Sequence, residues 1–202
     1  MTDSEIRVTG FGGQGVVLLA YVIGRAVAID AGRHSTMIQS FGPEARGSTC
    51  SATLVLSDRE VLYPYIRRSD ILVVMSGEAY EKYRDELTPD GILVYENSLV
   101  QPSPPAGQRA FGVPSTRIAE TLKRPIVGNM IMLGFVTAAT GVTPREVMRE
   151  AVKASVPAGT EEVNLQGFDA GWAYFEKEYG SPAPGAGLAV ATVAAGPAAN
   201  GA

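Results

Sequence analysis

Cysteine and histidine are almost missing: Cys50 and His34 are the only ones in 202 residues. One thiol cannot close an internal disulfide, so an oxidising compartment has left no trace. Nor can one thiol hold an iron–sulfur cluster, which as a rule takes four cysteine ligands. A lone imidazole makes a poor zinc site, and no Ser-His-Asp set is recognisable around it. A basic surplus is missing too, with 17 Lys and Arg against 21 Asp and Glu, which argues against a nucleic-acid surface. A local phosphate pocket remains open. Residues Met1 to Arg7 carry no basic segment leading into an apolar one, so no signal peptide is expected. The longest apolar run, Val16 to Ala31, is broken by Gly24, Arg25 and Asp30 and is too short for a bilayer. A cytoplasmic protein without a membrane segment is the expectation.

What is present is an ordinary globular composition, 46% hydrophobic and 19% charged, enough for one domain with a real core. That domain is expected over residues 1–180. From Ser181 to Ala202 the chain holds no charge, only Ala, Gly, Pro and small residues. Such a tail buries too little to offset its ordering entropy, so disorder or order only against a partner is expected.

The pattern opens as strand, glycine turn, helix. Ile6 and Val8 alternate with polar neighbours, Gly10 to Gly15 form the turn, and Val16 to Ala31 the helix, closed at Gly32. Ala20, Gly24 and Ala28 give that helix a smooth stripe, for packing on a sheet of this chain or on a partner subunit. Strands are predicted at Ser35 to Gln39, Thr49 to Leu56, Ile71 to Met75, Ile92 to Tyr95 and Arg109 to Val113. A polar helix is predicted over Glu78 to Leu87 and another from Ser115. The last third reads as helical: Asn129 to Ala139, then a capping box at Thr143-Pro144-Arg145-Glu146. After it Leu165, Phe168, Trp172, Phe175 and Tyr179 form one stripe, for the core or for a partner chain. The fold class predicted is α/β, a Rossmann-like layered fold with a mostly parallel sheet and a helical C-terminal third.

Two segments could carry chemistry. A glycine turn between strand and helix lets backbone N–H groups approach a phosphate, with the helix dipole assisting. Gly10, Gly12 and Gly15 have dinucleotide-fold spacing. The acidic residue that would hold a ribose at the end of the second strand is missing, since that strand ends at Gln39-Ser40. The turn therefore serves packing, a nucleotide, or another phosphate or amide group. The second segment is the loop Ser40 to Ser48, which holds Glu44 and Arg46. Arg46 offers a fork for carboxylate or phosphate, and a local ion pair with Glu44 is the simpler use. Glu44 as a general base would need a raised pKa.

Gly10-Phe11-Gly12-Gly13-Gln14-Gly15, the loop Gln39 to Ser48 and Gly128-Asn129-Met130 together resemble the γ subunit of the 2-oxoacid:acceptor oxidoreductases. These are the enzymes acting on pyruvate, 2-oxoglutarate, 2-ketoisovalerate (the branched-chain substrate), indolepyruvate and phenylglyoxylate. The similarity runs from about Ile6 to Tyr179. Where many members carry a further glycine after Arg-Gly, this chain has Ser48-Thr49.

The resemblance implies a part in oxidative decarboxylation of a 2-oxoacid to an acyl-CoA, with electrons passing to ferredoxin or NAD. It implies thiamine diphosphate, Mg and iron–sulfur clusters on partner subunits of α, β and ferredoxin-like δ type, with a flavin/NAD subunit in some complexes. This chain would be structural, with no catalytic residue of its own, and would lend an edge to the coenzyme A cleft. Gly12, Gly13, Gln14, Gly15, Glu44, Arg46 and Asn129 are the residues expected at that edge. A stand-alone Rossmann-type nucleotide-binding dehydrogenase is the alternative, and a purely structural assembly protein a third.

Overall fold

The structure is a computed structural model that describes residues 3–42 and 49–183. Six strands form one sheet in the order β2-β3-β1-β4-β5-β6. Strands β1 (Ser4–Phe11), β4 (Ser69–Val74), β5 (Leu87–Glu96) and β6 (Arg109–Val113) are parallel neighbours. On the other flank β3 (Thr49–Ser57) runs antiparallel to both β1 and β2 (His34–Phe41). The mostly parallel α/β sheet expected from the sequence is therefore present. Two strands exceed their predicted length. β2 keeps pairing through Ser40 and Phe41, opposite Ser51 and Cys50. β5 runs through Pro89-Asp90-Gly91, because a register shift between Ser69 and Ile71 absorbs the irregular stretch.

Helices cover the two faces unequally. On one face lie α1 (Val16–Arg25), α4 (Gly128–Thr140), α5 (Arg145–Lys153) and α6 (Glu161–Tyr179). They close the main core over Ile6, Val8, Leu54, Val73 and Val94, all at most 1% exposed. The other face carries α2 (Gly77–Tyr83), which packs Ala79, Tyr80 and Tyr83 on Leu72, Val74 and Leu93. The first helix ends in a widened turn over Ala26–Asp30, where the Ala31 N–H donates to Ala26 O at 2.9 Å. Its small-residue stripe lies on the sheet of this same chain. A methyl at Gly24 would meet Ser35 Oγ at 3.0 Å and Leu54 Cδ2 at 3.1 Å.

The tightest contact joins α4 to α6. A Cβ on Gly134 would overlap the Phe168 carbonyl oxygen and lie 2.8 Å from its carbon. Reciprocally, a Cβ on Gly171 would overlap the Ile131 carbonyl and lie 3.0 Å from the Phe135 amide nitrogen. The two backbones touch at both points. Around them Phe168 and Phe175 of the predicted stripe are buried, and Phe135 packs edge-on to Phe175 at 5.4 Å between centroids. Tyr179 closes the stripe, its hydroxyl bonded to both N and O of Gly112 in β6. Core packing thus accounts for most of that stripe.

The capping box at Thr143 does not form. α5 begins one residue later, behind Pro144, whose carbonyl accepts from the Met148 N–H at 3.1 Å. The Thr143 hydroxyl is buried without a partner among the described residues. Instead α5 is tied to α6 by charge: Asp169 accepts from Arg145 at 2.9 Å and from Arg149, while Arg145 also lies over the Trp172 ring. Past α6 the Ala183 N–H donates to Ala138 O at 2.9 Å. The rest of the expected tail, residues 184–202, lies outside the described residues.

Two outcomes follow. Gly134→Ala or Gly171→Ala forces the helices apart and should cost roughly 3 kcal/mol, the upper end for overpacking, read as a lower urea midpoint. For Asp169, burial pulls the carboxyl pKa up, but the hydrogen bonds from Arg149 and Arg145 outweigh it and hold the pKa below its usual value. That depressed pKa adds stability above about pH 4, lost as the pH falls through the folded-state value. Asp169→Asn should therefore flatten the stability profile below about pH 4, measured by denaturation at each pH.

Candidate functional site

The carboxyl ends of β1, β4, β5 and β6 point to one edge of the sheet. There the chain leaves β1 through α1 toward β2 on one flank, and leaves β4 through α2 toward β5 on the other. In open α/β sheets ligands collect at such a reversal. A cavity of about 650 Å³ opens at this edge.

Its floor is the glycine turn. Gly15 adopts φ +75°, which places the first residue of α1 correctly but favours glycine. A side chain there would also strike Asn129, with the Asn129 Cβ at 2.9 Å. Gly13, at φ +100°, faces open space. Gln14 is held at both ends of its carboxamide: Oε1 accepts from the Phe11 N–H at 2.6 Å, and Nε2 donates to Met75 O at 2.8 Å. The Met75 N–H in turn donates to Thr9 O at 2.8 Å. Gln14 thus pins the turn to the ends of β1 and β4.

The starts of four helices line the cavity: Gly15 and Leu18 at α1, Ser115 and Thr116 at α3 (Ser115–Thr121), Gly128 and Asn129 at α4, Thr160 and Asn164 at α6. Among the described residues no Lys, Arg, Asp or Glu lines it. Neither α1 nor α4 has a side-chain cap or an acidic residue in its first turn, so their N–H groups and dipoles are uncompensated. In α6, Glu161 and Glu162 offset the dipole. Asn129, 7% exposed, lines the cavity with its carboxamide lying against Gly15. Leu18, Leu99, Ile126 and Val163 supply apolar wall. Such a space suits a ligand with an anionic or amide end and a slender apolar body.

A buried carboxylate braces the far wall. Glu96, 1% exposed, ends β5. It accepts from the Ser98 N–H at 3.0 Å, the Thr116 N–H at 3.0 Å and the Ser115 hydroxyl. This ties the end of β5 to the start of α3. Among the described residues no three His, Cys, Asp or Glu side chains gather as metal ligands, and Cys50 is buried, its thiol pKa pushed up by that burial.

Of the residues expected at the site, Gly13, Gln14, Gly15 and Asn129 meet around the cavity. Gly12 sits in the same turn without lining it. Glu44 and Arg46 lie outside the described residues. Sequence reasoning missed Ser115, Thr116, Leu99, Thr160 and Asn164, which come from separate connections and share no spacing pattern. Only the polar pair just after the β6 prediction offered a hint.

Three comparisons bear on this arrangement. The family model described as pyruvate ferredoxin/flavodoxin oxidoreductase matches residues 5–174. The 2-oxoglutarate synthase subunit KorC of Methanocaldococcus jannaschii is 41% identical over 83% of this chain and 91% of its own. The ketoisovalerate oxidoreductase subunit VorA of Methanothermobacter thermautotrophicus is 35% identical over 85% of this chain but only 36% of its own length. Among solved structures, the gamma subunit of a keto/oxoacid ferredoxin oxidoreductase from Geobacter sulfurreducens matches with a TM-score of 0.74 and 32% identity, over 84% of this chain and 96% of that one.

The role of Gln14 can be measured without any ligand. Gln14→Ala leaves Met75 O and the Phe11 N–H unpaired and should lower unfolding stability by about 1–3 kcal/mol, seen in urea titration of the purified chain.

Proposed function

Because the chain belongs to the pyruvate ferredoxin/flavodoxin oxidoreductase family, we propose that it is the γ subunit of a 2-oxoacid oxidoreductase and forms one wall of its coenzyme A cleft. The reaction is oxidative decarboxylation of a 2-oxoacid to an acyl-CoA. Thiamine diphosphate, Mg and the iron–sulfur clusters belong to α, β and δ-type partners, which supply the carbanion and electron-transfer chemistry. Ferredoxin, or NAD through a flavin subunit, takes the electrons.

One observation carries this reading. At the cavity, the uncapped starts of α1 and α4 meet beside the carboxamide of the buried Asn129, which lies against Gly15. Backbone N–H groups there can take a phosphate oxygen or an amide carbonyl of coenzyme A, and Asn129 can take the next polar group along. The apolar wall excludes water from the pantetheine arm. Gln14 and Glu96 hold the rim in shape rather than touch the ligand. Arg46 lies outside the described residues; its guanidinium, suited to a phosphate, is included in the reading on the sequence alone.

The dehydrogenase alternative fares worse. On the flank where a dinucleotide fold would continue in parallel, β1 pairs with antiparallel β3, so Thr49 and Cys50 stand opposite Phe11 and Gly10 at the turn. The carboxylate recorded there, Glu78 of α2, accepts from the Thr49 hydroxyl at 2.8 Å and does not end a second parallel strand.

In the purified complex, Asn129→Ala and Arg46→Ala should each raise the KM for coenzyme A about tenfold, the worth of a hydrogen bond to a charged group. The thiamine-dependent half-reaction without coenzyme A should be unaffected. An unchanged KM in a normally assembled complex removes this chain from the cleft.

A further inference from the structure

The connection from β3 to β4, residues 58–68, exposes side chains that soluble surfaces seldom offer together. Leu62 is 87% exposed, Tyr63 64% and Tyr65 60%. The two tyrosine rings lean on each other at 5.6 Å between centroids, with Pro64 stiffening the backbone between them. Arg67 and Arg68 follow, both exposed. Arg7, Arg33, Arg84, Arg145 and Arg149 each reach a carboxylate. Arg67 and Arg68 reach none among the described residues.

This segment borders a furrow. Arg68 lines two recesses at once. One, of about 500 Å³, is shared with Glu5, Tyr63, Tyr65 and Arg67. The other, of about 560 Å³, is walled by Leu72, Tyr80, Leu93, Pro104 and Pro105 on the α2 face of the sheet. The segment joins the end of β3 to the start of β4, at the sheet edge where β1 and β4 begin. The cavity with the glycine turn lies at the opposite edge. The recesses mix tyrosine, arginine and apolar side chains with Glu5, Arg84 and Asp85 and, among the described residues, hold no lysine, a composition closer to interface centres than to solvated surface. Its apolar and aromatic surface is more than scattered exposure accounts for.

We propose that this furrow is the docking surface for a neighbouring subunit of the complex, one that inserts an apolar side chain beside Tyr63 and Tyr65 and sets carboxylates on Arg67 and Arg68. Charge decides the occupant. Arg67 and Arg68, adjacent, exposed and without a carboxylate among the described residues, suit an acidic contact beside the exposed Leu62 and tyrosines. A neighbour is also consistent with the VorA relative, in which the matched region makes up only 36% of the polypeptide. The proposal rests on the chain's being a subunit of a complex, and not on its contact with coenzyme A.

The test is co-expression of the chain with its partner subunits, followed by native mass spectrometry of the assembled fraction across a salt series. Arg67→Glu with Arg68→Glu should lower that fraction at least tenfold, and Leu62→Ser with Tyr65→Ser should do the same. Wild-type assembly should weaken as salt rises. Near-UV circular dichroism of the free variants should match wild type, and the coenzyme A KM of the residual complex should not change. Wild-type assembly by both variants overturns the proposal. So does a homodimer of the free chain that these substitutions abolish, since a second copy would then be the occupant. Should the paired variants lose their near-UV signal, Leu62→Ser alone decides by the same assembly measurement.

Discussion

Two helices in van der Waals contact through their backbones set the geometry on which the rest depends. Gly134 and Gly171 let α4 and α6 approach until each presses on the other's carbonyls, and no other residue type allows that distance. The consequence reaches the cavity because α4 is short and stiff. Its C-terminal half is fixed by α6, and its first turn carries Asn129 against Gly15. A shift of α4 away from α6 would therefore move Asn129 in the cavity wall. Aromatic packing of Phe135 on Phe175 and the Tyr179 bonds to Gly112 join the same pair of helices to the edge of the sheet.

Sequence periodicity read the layered α/β fold correctly because its signals are local. A glycine turn between alternating and continuous apolar segments, and a continuous apolar run for β4, need no knowledge of the partner strand. What failed was also local but was overruled by pairing. The sequence predicts a strand only over Ile92 to Tyr95, yet β5 runs back through Pro89-Asp90-Gly91 because a register shift takes up the irregularity. Thr143 looks like a cap, yet Pro144 starts the helix one residue later. The α4–α6 contact was not legible, since a glycine within an apolar helix does not announce which carbonyl it faces.

The site was legible only in part, for a different reason. The glycine turn is contiguous and could be read directly. Asn129 stood out only through family resemblance, more than a hundred residues further along. Ser115, Thr116, Leu99, Thr160 and Asn164 meet it because three crossovers end at one sheet edge, a matter of topology and not of spacing. Gln14 had the opposite fate. It looked like a ligand contact, and each end of its carboxamide makes a bond that ties the turn to β1 and β4. The pocket's polarity thus comes from main-chain groups, carboxamides and hydroxyls, with no charged side chain among the described residues.

The most direct measurement is a structure of the assembled complex with coenzyme A bound. The account predicts a coenzyme A oxygen within about 3 Å of the Asn129 amide or of a backbone N–H at the start of α1. Coenzyme A bound well away from this cavity, with Asn129 facing solvent or a partner side chain instead, would contradict it.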